Sequence, residues 1–240
     1  MAIKNLQEVK MIFDKFNIVY WLDLGTLLGA VRNGKIIPWD DDIDFGVMDS
    51  SWEKIVSILA EFKKRGFFIE CENSKSQVDY RYISFYRSGC FIGIYPFSIK
   101  NEYAMRLDII QPFFTRILIV IYHLLSFNDA HSTSKNRFLL NLIKRFLILF
   151  PSKLKKPLSK LVGKLVRALK DKGSTYLPVI VPKHYFEKLI TIKFYEDIFS
   201  IPSNVEEYLE FRYGKDWKVP KKEWEWWTDD GAANFEQEEM

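Results

Sequence analysis

Apolar residues at Ile3, Leu6, Val9, Ile12, Phe13 and Phe16 recur three and four positions apart, the spacing of one helical face. That pattern predicts a helix over residues 3–16. Residues 17–23, NIVYWLD, read as a strand. Helical spacing returns from Thr26 to Arg32 and ends near Asn33-Gly34. Pro38 begins an extended approach to a strand over 42–47. Ser50 or Ser51 caps a helix running to about Arg65, with Ile55, Ile58, Leu59 and Phe62 as its apolar positions and Gly66 past its end. Residues 67–71 and 80–87 are rich in aromatics and read as strands. Arg106 to Ile110 reads as another strand of the same sheet, stopped by Pro112.

Beyond Pro112 the pattern changes. Phe113 to Phe127 is an apolar run of fifteen, shorter than the roughly 20 residues a bilayer span takes. A second apolar helix is expected over 138–150, carrying Lys144 and Arg145. After Pro151, Leu154, Leu158, Leu161, Leu165 and Leu169 share one helical face. Lys153, Lys156, Lys160, Lys164 and Arg167 fall largely on the other, which makes a basic amphipathic helix. Pro178, Pro182 and the aromatic segment 184–200 mark a return to compact structure. Val205 to Tyr213 is a last short helix with Gly214 past its end, and 223–240 is an acidic tail that frays. Helices interleaved with strands predict an α/β (α+β) chain in three parts. These are a core over 1–112, a helical basic insertion over 113–180, and a segment over 181–240 that packs back on the core.

At 240 residues the chain allows one large domain, or one domain and an appendage. With 48% hydrophobic and 16% aromatic residues it can bury a core, which excludes a disordered chain. Cys71 and Cys90 form neither a disulfide framework nor a zinc site, so two reduced thiols are expected. The N-terminus has no apolar core and no cleavage site of a secretory signal, so a cytoplasmic location is expected. Charge is unevenly spread. Residues 135–172 hold twelve Lys or Arg against one Asp, a net +11, so the rest of the chain carries −7 of the overall +4. The basic stretch reads in two ways: docking on the inner face of the plasma membrane, or a helical subdomain packed on the core with solvated lysines. Membrane or acceptor contact is the favoured reading. Nucleic acid is not an expected partner, because aromatic residues do not interleave with the basic ones here.

The chemistry concentrates in WLDLGTLLGAVRNGKIIPWDDDIDFG, residues 21–46, where a Gly-Thr turn precedes four aspartates within five positions. Asp42 and Asp44 flank one apolar residue, so on a strand they project from the same face. Two carboxylates a few Å apart repel each other unless a cation lies between them, and a hard divalent ion with oxygen ligands is the usual solution. A Mg²⁺- or Mn²⁺-dependent phosphotransfer site follows, with Asp42 and Asp44 as its ligands; the bland alternative is a solvated acidic loop. Asp40 shares their parity and is a supporting group, a third ligand or an exposed residue, as is Asp41. Gly25 and Thr26 offer a closely approaching backbone and a hydroxyl for phosphate at a helix N-terminus, or simply a strand-to-helix turn. Arg32 pairs either with a phosphate or the aspartates, or in a structural salt bridge. Arg81 is a weaker phosphate candidate, and Trp39 is expected beneath the acidic loop. Trp224, Trp226 and Trp227 invite a cage for a quaternary ammonium group, but a packing cluster is the favoured reading. His123, His131 and His184 share no metal-ligand spacing.

These residues resemble the signature of the LicD / fukutin-related family, a branch of the nucleotidyltransferase fold that transfers phosphocholine or polyol phosphates onto glycans. Gly25-Thr26 stands where the superfamily has Gly-Gly or Gly-Ser, and Asp42-Ile43-Asp44-Phe45 matches its acidic strand. Gly-Thr-Leu-Leu-Gly-x-x-Arg, Pro-Trp-Asp-Asp-Asp-x-Asp and the later Tyr213-Gly214-Lys215-Asp216-Trp217 resemble the narrower family. The likeness is strong over 17–50 and fair over 80–112 and 185–220. It implies a mixed sheet flanked by helices, with a third carboxylate from a neighbouring strand. Asp108, set among Leu107, Ile109 and Ile110, fits that role as third ligand or general base, because a charge there is costly unless paired or metal-bound; Asp79 is the fallback. The resemblance also implies a CDP-activated alcohol as donor, a cell-surface glycan or lipid-linked glycan precursor as acceptor, CMP as leaving group, and Tyr213 and Trp217 closing the site. Eukaryotic relatives are anchored in the Golgi; this N-terminus resembles a bacterial, cytoplasm-facing member instead. The competing readings are a nucleotidyltransferase that releases pyrophosphate from an NTP, a glycosyltransferase, and a non-catalytic membrane adaptor. The Gly-Thr turn argues against the glycosyltransferase, and the Asp42/Asp44 pair against the adaptor.

Overall fold

The computed structural model describes residues 1–40, 42–74, 80–127, 145–146, 151–169 and 172–233. Helix α1 (Ala2–Lys15) buries Leu6, Val9, Ile12 and Phe13, as its spacing requires. Asn17, with φ 48°, turns the chain into β1 (Tyr20–Leu22). Then come α2 (Leu24–Asn33), closed by Gly34 at φ 62°, and β2 (Asp42–Met48). The single helix expected up to Arg65 is instead a 3₁₀ turn (Asp49–Ser51), α3 (Trp52–Ser57) and α4 (Leu59–Lys64). The break falls at Ile58, after Ile55 and Val56; β-branched residues lower helix propensity. Next are β3 (Phe68–Ser74), β4 (Tyr80–Arg87), β5 (Cys90–Lys100) and β6 (Tyr103–Ile110). They are followed by α5 (Phe113–Phe127), α6 (Ser152–Leu169), β7 (Thr175–Pro182), α7 (His184–Glu187), β8 (Leu189–Phe194), β9 (Asp197–Pro202), α8 (Val205–Tyr213) and α9 (Trp226–Asp229). The helix expected over 138–150 lies outside the described residues, apart from 145–146, which are helical.

The chain divides into two compact units, Met1–Asp108 with Leu177–Met240, and Ile109–Tyr176. The first is built on a mixed sheet in the order β1-β2-β5-β4-β3, with β6 joining the end of β5 and β7 joining β6. β2 and β5 run parallel, with Asp44 opposite Gly93, and their other neighbours run antiparallel. Strand alternation divides the sheet chemically. One face carries Ile43, Phe45, Val47, Ile83, Phe85, Ile92 and Ile94, all buried. There Phe62 of α4 stacks on Phe85 at 4.1 Å, and Phe13 of α1 meets Phe45 edge-on at 5.7 Å. The other face carries Asp42, Asp44, Gly93 and Tyr95. The C-terminal segment returns to that side, where Phe186 stacks on Trp21 at 4.4 Å. The second unit pairs α5 with α6 around Val120, Leu124, Leu125, Leu158 and Val162.

Candidate active site

Pairing of β1 with β2 brings the Gly-Thr turn against the acidic strand. Leu22 lies opposite Phe45, so the next residue, Asp23, meets Asp44. The Asp23 backbone N–H donates to the Asp44 carbonyl at 3.1 Å, and the Asp44 N–H donates to Thr26 Oγ1 at 2.9 Å. The Thr26 hydroxyl, a phosphate candidate in the sequence, thus accepts a bond that fixes the strand, and its own proton is left to donate. Asp23 caps α2, its side chain accepting from the Leu24 N–H at 2.9 Å. Leu24 takes φ 49°, a left-handed conformation that non-glycine residues seldom adopt and that clusters at functional sites. Gly25 has a steric reason: a Cβ there would lie 2.2 Å from Asp40 Oδ2. The Asp40 carboxylate is therefore laid directly on the turn.

Four carboxylates converge electrostatically. Asp44 is buried, and its Oδ1 has no hydrogen-bond partner among the described residues. Burial, then the charges of Asp42, Asp40 and Asp23, push its pKa well above the usual carboxylate range, against the pull of Arg106. A buried oxygen without a donor, among like charges, is a site that a hard cation would relieve. The donor set is all oxygen, so Mg²⁺ or Mn²⁺ fits Asp42 and Asp44. Among the described residues no group of three His, Cys, Asp or Glu is placed to hold one ion. Asp41 and Asp79 lie outside those residues.

Asp108 is close by in another sense. Met105 pairs with Ser98, so Arg106 and Asp108 turn to the opposite face, the one bearing Phe97, Tyr95 and Asp44. The Arg106 guanidinium lies 4.2 Å from the Tyr95 ring centre and 5.2 Å from that of Phe97. Its Nη2 donates to Asp108 Oδ2 at 2.8 Å. The Asp108 side chain is 15% exposed; burial raises its pKa, and Arg106 opposes that rise. Burial works against the charge of Arg106, yet Asp108 keeps it firmly protonated. Asp108 thus pairs with Arg106, whose charge also acts on Asp44, and it is not part of a ligand set among the described residues.

Arg106 is a site residue that the sequence reading missed. Its Nε and Nη1 are buried and have no hydrogen-bond partner among the described residues. The signal was present: Arg and Asp two apart on a strand share a face. Tyr95 was missed as well; burial, then the charge of Asp44, holds its hydroxyl protonated. So was a buried chain behind the turn. Asp230 grips Arg212, Arg212 Nη1 donates to the Tyr208 hydroxyl at 2.7 Å, and Tyr208 donates to Asp23 Oδ1 at 2.7 Å.

The remaining candidates are placed elsewhere. Arg32 donates from Nε to Asn33 Oδ1 at 2.8 Å and from Nη1 to the Trp217 carbonyl at 3.3 Å, tying α2 to the C-terminal segment. Arg81 forms an ion pair with Asp49. Trp39 packs against the core with Lys222 Nζ 5.5 Å above its ring. The tail tryptophans form two pairs: Trp224 on Tyr213 at 4.8 Å, and Trp226 edge-on to Trp227 at 5.7 Å. His184 lies on the Tyr185 ring at 4.2 Å, and His131 is outside the described residues.

Residues 17–117 match the family described as LicD/FKTN/FKRP, nucleotidyltransferase domain. Uncharacterized protein RP689 of Rickettsia prowazekii is 39% identical over 69 residues, 29% of this chain and 26% of that protein. Human ribitol 5-phosphate transferase FKRP is 50% identical over 36 residues, 15% of this chain and 7% of that protein. This chain thus spans about a quarter or less of the length of those relatives. Lipopolysaccharide cholinephosphotransferase LicD of Haemophilus influenzae is 24% identical over 93% of this chain and 91% of its own length. Among solved structures, the antibiotic-resistance factor ANT(2'')-Ia aligns with 71% of this chain and 97% of its own, at 12% identity and a TM-score of 0.33, a likeness too loose to carry an argument. The segment that supplies the Gly25-Thr26 turn, the acidic strand and Asp108, residues 17–117, is thus the part of the chain that matches the LicD/FKTN/FKRP nucleotidyltransferase-domain family.

Proposed function

We propose that the protein is a phospho-alcohol transferase. It moves phosphocholine or a polyol phosphate such as ribitol or glycerol phosphate from a CDP-activated donor to a hydroxyl of a cell-surface glycan or lipid-linked glycan precursor, and it releases CMP. The observation that carries this reading is the buried oxygen of Asp44, without a hydrogen-bond partner among the described residues and set among Asp42, Asp40 and Asp23, inside a segment that matches this family. The match to this family over residues 17–117 supports phospho-alcohol transfer as the kind of reaction, and the named relatives act in lipopolysaccharide and ribitol phosphate chemistry.

Asp42 and Asp44 would hold Mg²⁺ or Mn²⁺, which neutralises charge on the phosphate oxygens when bound. The turn at Gly25-Thr26 presents backbone N–H groups at the start of α2, where the helix dipole favours an anion. Nε and Nη1 of Arg106, without a partner among the described residues, are donors for a phosphate oxygen, and their burial makes each bond stronger than it would be in water. The acceptor oxygen attacks the phosphorus that bears the alcohol. A new P–O bond forms, the bond to the bridging oxygen breaks, and CMP departs with that electron pair. Asp108, with its pKa raised by burial, takes the proton of the attacking hydroxyl.

The test is incubation with Mg²⁺ and a panel of CDP-alcohols and NTPs, with nucleotide release followed by mass. CMP from one CDP-alcohol, above an Asp42→Asn control, is the expected result and names the cargo. Pyrophosphate from an NTP would move the chain to the nucleotidyltransferases proper, and equal turnover by folded Asp42→Asn would remove the metal pair from the mechanism.

A further inference from the structure

The sequence gives α6 one broad apolar face, but the structure divides that face in two. Leu158, Val162 and Val166 turn toward α5, where Leu158 and Val162 pack with Val120, Leu124 and Leu125. Gly163 belongs to this side, since a Cβ there would lie 2.9 Å from the Tyr122 ring. Leu154, Leu161 and Leu165 do not join them. They are 52%, 64% and 43% exposed, and their spacing of seven and four positions lines them up along one stripe. Lys153, Lys156, Lys160, Lys164 and Arg167, all exposed, fill the third side of the helix. Over Ser152–Leu169 there are six Lys or Arg and no acid.

We infer that this stripe docks on an anionic lipid surface, with α6 lying in the plane of the membrane. An exposed leucine row costs solvation in water and gains it back only where apolar matter covers it. The flanking charge selects among coverings. A second copy of this chain would bring six like charges against six. Nucleic acid would satisfy the lysines but has no use for the leucines. An anionic bilayer satisfies both, with acyl chains beneath the leucines and headgroups against the cations. Among the described residues no helix is long and apolar enough to cross a membrane. The docking is independent of the transfer reaction proposed above.

The test is co-sedimentation of the full chain with vesicles of phosphatidylcholine alone, and of phosphatidylcholine with phosphatidylglycerol. The variants are Leu154→Gln/Leu161→Gln/Leu165→Gln and Lys160→Glu/Lys164→Glu. All five positions face away from the α5 contact, so unfolding temperature and circular dichroism should stay at wild-type values. Binding to the anionic vesicles only is expected, at least tenfold weaker in each variant, with the residual binding of the leucine variant lost in high salt. Equal binding of the folded leucine variant would overturn the inference. So would a wild-type chain that ignores anionic vesicles, or leucine substitutions that turn a dimer into a monomer.

Discussion

Tyr208 donates its hydroxyl to Asp23 Oδ1 at 2.7 Å, across 185 positions of chain. Asp23 in turn caps α2 and bonds through its backbone N–H to the Asp44 carbonyl. Behind Tyr208, Arg212 is held by Asp230, and both are almost wholly buried. The C-terminal segment therefore fixes the angle at which the Gly-Thr turn meets the acidic strand. Tyr208→Phe keeps the ring and removes one hydroxyl, leaving Arg212 Nη1 and Asp23 Oδ1 each short of a bond. A loss of about 1–3 kcal/mol in denaturant unfolding is expected. Turnover should fall through kcat while KM for the donor changes little, measured where the variant is fully folded. Wild-type kcat in a folded variant would reduce the chain of bonds to scaffolding.

Asp44 stores repulsion in the absence of a cation. Asp44→Asn removes one charge from a group that includes Asp42, Asp40 and Asp23, and it relieves a buried ion. Without divalent metal, the variant should melt at or above the wild-type temperature. Mg²⁺ should raise the melting temperature of the wild type, by about 2.7 kcal/mol of stability at a hundredfold excess over Kd, and leave the variant unmoved. Thermal scans with EDTA and with Mg²⁺ check both halves. A variant that loses stability in EDTA would show that Asp44 is satisfied by the protein alone.

Arg106 is separable from a simple ion pair. Arg106→Lys keeps a positive charge beside Asp108 but loses the planar fork stacked on Tyr95. A drop in kcat/KM of about tenfold or more, roughly 1.4 kcal/mol, is expected, and it should appear chiefly in KM for the nucleotide donor. Steady-state kinetics with the donor varied at saturating acceptor make the distinction.

The parts of the fold that were legible in the sequence are those set by local pattern. α1, the acidic strand β2 and α8 follow from spacing and end signals within a dozen residues. β5 was not legible, although it lies at the middle of the sheet. Gly93 and Pro96 interrupt its apolar run, and both residues usually argue against a central strand. The structure explains the glycine: a Cβ on Gly93 would lie 2.6 Å from the Tyr95 ring. At the site, Asp42, Asp44 and the Gly-Thr turn were visible because they are close in sequence. The role of Thr26 was only half visible, since the N–H it accepts from comes from residue 44. Arg106 was within reach by strand parity. Asp23 with Tyr208 and Arg212 was not, because no local pattern pairs residues so far apart.

Gly46 answers to Trp21, its register partner across β1 and β2. A Cβ on Gly46 would lie 2.2 Å from the indole, which is wedged between that strand, Phe97 and Phe186. Gly46→Ala should lower stability by about 1–3 kcal/mol through overpacking. Trp21→Phe combined with it should cost less than the sum of the two single changes, because the smaller ring vacates the contested space. A double-mutant cycle by urea unfolding measures the coupling; strict additivity would place the strain elsewhere.

Glu8 ties α1 to the end of β4. It accepts from Arg87 Nη1 at 2.6 Å, while the same guanidinium reaches the Arg65 carbonyl and lies 4.1 Å from the Phe67 ring centre. The hydrogen bond from Arg87 lowers the Glu8 pKa, and partial burial only tempers that. A carboxyl depressed in the folded state binds fewer protons there than in the unfolded chain, so stability rises with pH across the interval between the two values. The stabilisation is complete above the ordinary carboxylate range and is lost as pH falls through the depressed value. Glu8→Gln should therefore cost about 1 kcal/mol near neutrality, scaled for an interaction that water partly screens. Urea unfolding of both proteins from neutral pH down through the carboxylate range checks the sign. The gap between them should narrow as the medium is acidified, and a gap that stays constant would assign the effect to packing around Arg87 instead of to charge.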